Sequence, residues 1–240
     1  MNLDSSPIII GESPVSQTVS RNQLQVMNYF PSLVYSAMLP EFLDISRSAA
    51  KKALAAWKKS NPPLDPMYPV VQTENLFSYP ELEQLVSYIG SAGASILDSQ
   101  GHNMSNLSVY FSEMWCQEHH RHSAMDQHVH GIGAQLVGFY FLDVPKDSSR
   151  IVIHDPRPGR VQINLPEKNI SDVTQASVAV NFSPQAGQLF IANSWLPHSF
   201  TRNASLSPLR FIHFTLGVRD LPPATAGSFP PPAPDLPVIV

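Results

Sequence analysis

The feature that most constrains this chain is a single change of hydrophobic period near Asn106. Before that point the apolar residues recur at helical spacing. From Glu41 to Lys59, Phe42, Ile45, Ala49, Ala53 and Ala56 fall on one stripe, with acids early and lysines late, as a helix dipole favours. A second helix is predicted from Pro80, since proline is tolerated in a first turn, with Leu82, Leu85, Val86, Ile89, Ile96 and Leu97 facing a core. The run Asn61–Pro66 separates the two. After Asn106 the period is that of strands: Leu107–Trp115, Gln135–Val144, Arg150–His154, Arg160–Leu165, Ser177–Phe182, Gln188–Asn193 and Leu209–Val218. Turn sequences such as Pro145–Ser148, Pro156–Gly159 and Pro184–Gly187 punctuate them. The pattern predicts a mainly β fold, an antiparallel sandwich or jelly roll, with two N-terminal helices packed on one face.

Length and composition narrow the class of protein. A chain of 240 residues supports one sizeable core. Its charged fraction of 14% is low against the usual ~25%. A net charge of −4 with scattered Lys and Arg argues against nucleic acid as a partner. MNLDSSPIII lacks the features of a signal peptide, and no apolar run approaches the ~20 residues of a membrane helix. Cys116 is the only cysteine, which suits a reducing compartment. The expectation is a soluble, cytoplasmic protein without a membrane partner. Three segments are expected: an N-terminal arm (1–26), one domain (27–218; helical 27–105, β 106–218) and a proline-rich tail (219–240). Of the 23 prolines, many crowd the stretch Pro222–Pro237, a composition of polyproline or unstructured chain.

The chemistry is sought among the nine histidines. His119, His120 and His122 lie in a polar run that reads as a solvated loop. His128 and His130 are two apart before a glycine loop, and in an extended segment that spacing turns both imidazoles to the same side. His198 follows the apolar run Gln188–Asn193. Arg210 comes twelve residues later at the head of another strand, where an arginine needs an edge position or an anionic partner. Each residue alone has an ordinary structural explanation. The ordered set, H-x-H, strands, a distal His and then an Arg, is what a non-haem iron centre uses: imidazoles on one face of the metal, and a guanidinium whose fork takes the far carboxylate of a keto acid.

The stretch Trp115–Val218 resembles the 2OG-Fe(II) oxygenases of bacteria and their phages, distant relatives of the prolyl 4-hydroxylases. The matching pieces are SEMW at Ser112–Trp115, HVH at His128–His130, GFYFLDVP at Gly138–Pro145 and HDPRPGR at His154–Arg160. GQLFIANSWLPH at Gly187–His198 and RFIHFTLGV at Arg210–Val218 follow, and NYFPSLVYSAMLPEF extends the likeness back towards Met27. The resemblance implies a double-stranded β-helix of the jelly-roll, cupin-like kind. It also implies Fe(II) as cofactor, 2-oxoglutarate and O₂ as co-substrates, and hydroxylation of a small-molecule or peptide substrate with release of succinate and CO₂.

On that resemblance His128, His130 and His198 are the metal ligands, and Arg210 anchors 2-oxoglutarate. Two departures stand out. The wider superfamily usually has H-x-D or H-x-E, and the serine often found two residues after the arginine is Ile212 here. Tyr140 or Tyr110 is expected to supply the missing hydrogen bond. Asp155 is the competing third ligand, although Pro156 after it favours a turn. Arg157 and Trp195 flank the ligands and are expected to line the substrate entrance; the alternatives are a turn residue paired with an acid and a core residue. Two other readings use the same residues differently: a zinc-dependent hydrolase or isomerase of cupin type, and a non-catalytic binding or structural jelly roll.

Overall fold

The computed structural model describes Leu24, Val26 and residues 28–221, so the tail Pro222–Val240 and most of the arm lie outside the described residues. The chain divides into two units, Met1–Pro31 and Ser32–Val240, and the architecture below is that of the second. Its elements are β1 (Val34–Met38), α1 (Leu43–Ser60), β2 (Val70–Gln72), α2 (Glu83–Ser99) and β3 (Leu107–His119). Then come β4 (Met125–His128), β5 (Ala134–Asp143), β6 (Ile151–His154), β7 (Ala179–Phe182), β8 (Gln188–Asn193), β9 (His198–Phe200) and β10 (Leu209–Asp220).

The strands form two antiparallel sheets, one of six strands in the order β1-β8-β5-β10-β3-β2 and one of four in the order β4-β9-β6-β7. This is the double-stranded β-helix. β10 is its spine, paired with β3 on one side and β5 on the other. Because side chains alternate along a strand, β10 feeds two separate cores. Ile212, Phe214 and Leu216 join α1 and α2 on the outer face. Leu209 and Phe211 turn inward to meet Phe139, Phe141, Phe200 and Ile151 between the sheets.

The helices form as their periodicity predicts. Leu85, Ile89 and Ile96 of α2 are essentially solvent-free, each contributing about 1.5–3 kcal/mol by burial. α1 presents Ala49, Ala50 and Ala53, small residues that let it lie close on the sheet, while Ile45, placed on the same stripe from its spacing, is exposed. No helix among the described residues is long and apolar enough to cross a membrane.

Three differences from the sequence-based expectation matter. The run Arg160–Leu165 is not a strand; Pro158–Gln162 forms a 3-10 turn, and Val161, Ile163 and Leu165 are exposed, paired with no ladder. β1 and β2 are additional edge strands. β3 runs four residues beyond Trp115, carrying His119 out of the expected solvated loop into a fully buried position.

Candidate metal centre

His128 ends β4 and His198 begins β9, and the two are directly paired across that ladder. His130 follows in the loop, held by its backbone N–H donating to the Ser194 carbonyl at 2.9 Å. The three rings converge, with centroids 4.5 Å apart for His128 and His198, 5.1 Å for His128 and His130, and 5.2 Å for His130 and His198. One nitrogen from each lies within 4.8 Å of the others.

The tautomers are set by the backbone. His128 Nδ1 faces the carbonyl of Asp126 at 2.8 Å, and His198 Nδ1 faces that of Leu196 at 2.9 Å. A carbonyl can only accept, so each Nδ1 carries the proton and each Nε2 keeps its lone pair. This is the outer-shell arrangement that orients metal-binding imidazoles. Nε2 of His130 and of His198 is buried without a partner. Burial, reinforced by the neighbouring imidazoles, pushes both groups down to about 4. They are neutral at physiological pH, as ligands must be.

A second donor set shares His130: Glu113 and His213, reaching inward from β3 and β10, with ligand atoms again within 4.8 Å. The His213 ring lies 5.0 Å from His130 and 4.9 Å from Trp115. Neither Glu113 nor His213 stood out in the sequence. Their signal was there in strand alternation, since both occupy inward positions on strands that the H-x-H loop faces. Asp155 belongs to neither set. Both its carboxylate oxygens accept from Arg157, at 2.8 and 2.7 Å, which lowers its pKa.

The proposed co-substrate residues separate. Arg210 is corrected: its guanidinium is on the outer face, donating to Glu118 and, at 3.1 Å, to Asp143, in a 370 Å³ cleft beneath α1 with Arg47, Lys51 and Lys58. Glu118 is completely buried. Burial alone would raise its carboxyl, but the Arg210 hydrogen bond and charge, with Lys58, hold it below the ordinary range. Tyr140 is corrected too, since its hydroxyl donates to the Leu39 carbonyl at 2.7 Å within the outer core. Tyr110 stays near the H-x-H loop. Its ring crosses Gly217, where a Cβ would meet the ring at 2.7–2.8 Å, and its hydroxyl reaches towards Gly133. Arg157 is the turn residue of the alternative reading, paired with Asp155 and Gln175. Trp195 is half exposed in the turn that holds His130, which excludes a core role.

A double-stranded β-helix with converging imidazoles is a cupin-like fold with a candidate metal site, and sequence comparison matches part of it to a family. Residues 113–212 match the family described as "Putative 2OG-Fe(II) oxygenase". Over that segment the chain is similar to the 2OG-Fe(II) oxygenases, oxidoreductases that work with Fe(II), 2-oxoglutarate and O₂. No curated protein matches the sequence. Among solved structures it is similar to AviO1 from Streptomyces viridochromogenes Tue57 (15% identity, TM-score 0.55, covering 85% of this chain and 93% of that one). It is also similar to a Pseudomonas putida prolyl-4-hydroxylase (10%, 0.52, covering 80% and 94%). A third is HygX from Streptomyces hygroscopicus, solved with nickel and 2-oxoglutarate bound (10%, 0.50, covering 78% and 83%). At these identities the likeness establishes the fold.

Proposed function

We propose that this chain hydroxylates a carbon centre of a substrate entering past Trp195, using iron held by His128, His130 and His198. The observation that carries the assignment is the pairing of His128 with His198, each with Nδ1 committed to a carbonyl and Nε2 free for a metal. Three neutral imidazoles on one side of an ion leave its other positions to small ligands. The buried, partnerless Nε2 atoms fit a metal and fit little else, because an unpartnered buried acceptor is otherwise costly. Glu113 and His213 compete for the same His130, but neither has a comparable carbonyl contact among those described.

Iron held by these residues would, with 2-oxoglutarate, supply the oxidation: one atom of O₂ would enter the substrate C–H bond and the other the succinate formed as the keto acid loses CO₂. The chain's own contribution is placement. β4 and β9 fix two ligands in register, and the Ser194 carbonyl pins the loop that carries the third. Phe139, Phe200 and Phe211 wall the chamber and keep bulk water away. Val129 and Ile132 are exposed beside His130, and with Trp195 they give the entrance an apolar rim. A cytoplasmic setting belongs to the same reading, since the lone Cys116 is buried and needs no oxidising compartment.

Anaerobic addition of Fe(II) and then 2-oxoglutarate should give a weak visible charge-transfer band, and O₂ should then yield succinate. A folded, iron-loaded protein showing neither would overturn the reading and revive the zinc or non-catalytic alternatives.

A further inference from the structure

With Arg210 turned to α1, the far carboxylate of the keto acid lacks the partner expected for it. Among the inward residues of β10 and β3 the one lysine or arginine is Arg219, which is exposed over the Tyr110 ring at the opposite end of β10 from Leu209. The inward position beside Arg210 is Leu209, and directly across the ladder from Leu209 is His119.

Two observations single out His119. It is completely buried, yet neither Nδ1 nor Nε2 has a partner, a condition native interiors avoid unless a ligand or water completes it. It also adjoins the aromatic cluster that packs beside the metal ligands. Its ring packs on Phe211 at 5.0 Å and Phe200 at 5.3 Å, and both of these pack on Phe139, which lies 5.6 Å from His198. One aromatic cluster thus runs from the metal ligands to an imidazole with unused hydrogen-bonding capacity.

We propose that His119 donates a hydrogen bond to the far carboxylate of 2-oxoglutarate, taking the place of an arginine; this rests on the oxygenase reading above. A neutral imidazole offers one N–H and the carboxylate accepts it. The aromatic cluster receives the two methylenes between the ends of the keto acid. Arg210 has no part in this contact, because its guanidinium is occupied by Glu118 and Asp143 on the other face.

The test is calorimetry without O₂ on Mn(II)-loaded protein, comparing 2-oxoglutarate with 2-oxobutyrate, which keeps the metal-binding end but lacks the far carboxylate. The native chain should prefer 2-oxoglutarate by roughly tenfold to a hundredfold, the worth of one hydrogen bond to a charged group. His119→Leu should bind both acids alike, at the native affinity for 2-oxobutyrate, which shows that the metal end is intact. Adding Leu209→Arg to His119→Leu should restore the preference, and Arg210→Ala should keep it. A His119→Leu protein with the native preference overturns the proposal, as does loss of the preference in Arg210→Ala alone. A native chain that binds neither acid overturns the oxygenase reading along with it.

Discussion

Arg210 and His213 are three residues apart on one strand and lie on opposite faces of its sheet. His213 reaches the metal chamber, and Arg210 closes an ion cluster under α1. Arg210 therefore acts on stability. Arg210→Ala strips the buried Glu118 of its main partner, while Lys58 and His120 remain. Arg210 is one-third exposed, so the cost should be about 2 kcal/mol, below that of breaking a fully buried pair. Urea unfolding measures it. An unchanged midpoint with weakened 2-oxoglutarate binding would return Arg210 to the site.

Tyr140 gives a parallel case. Tyr140→Phe removes the hydroxyl that donates to Leu39 and leaves that carbonyl buried, at about 1 kcal/mol of stability. Turnover per folded molecule should not change. A fall in turnover at constant stability would show that the phenol touches the chemistry.

His119 ties stability to pH. Burial first, and the neighbouring His120 second, push it down to about 4, against an unfolded value of 6.5. Between these values the unfolded chain binds the extra proton, so stability falls as pH drops from 7 towards 4. At pH 4.5 His119 should account for about 2–3 kcal/mol of the loss in the metal-free protein. His119→Phe should show a correspondingly shallower decline in denaturation curves across that range. An equal decline in both proteins would mean the imidazole is solvated.

Ligand choice can be read from metal affinity. His198→Ala and His130→Ala should each weaken Fe(II) or Mn(II) binding by at least an order of magnitude, comparable to removing an outer-shell partner or more. Asp155→Ala should leave it nearly unchanged, since Arg157 already occupies both carboxylate oxygens. Strong loss in Asp155→Ala with a retained fold would make the carboxylate the third ligand.

Much of this architecture was legible in the residues. Period 2 against period 3.6 separated the sheets from the helices, and His128, His130 and His198 stood out because spacing and strand ends placed them together. Facing was harder to read. Arg210 and Leu209 differ by one residue, and one residue decides which side of a sheet a group occupies. Nothing local revealed which of the pair pointed inward, because β10 is apolar on both faces and lacks the alternation that exposes a solvent side. His119 was hidden for a related reason: a polar run reads as loop until its partners are known, and β10 extends the ladder over it. Arg160–Leu165 failed in the opposite direction, with strand-like residues that found no neighbouring strand.

The central claim is the identity of the three ligands, and the most direct measurement is the crystal structure of the protein loaded anaerobically with Mn(II). Anomalous scattering should place one ion about 2.0–2.3 Å from Nε2 of His128, His130 and His198, the range of metal–imidazole bonds. Glu113 and His213 should stand off from it. An ion bound instead by Glu113, His130 and His213, with His128 unliganded, would contradict the assignment.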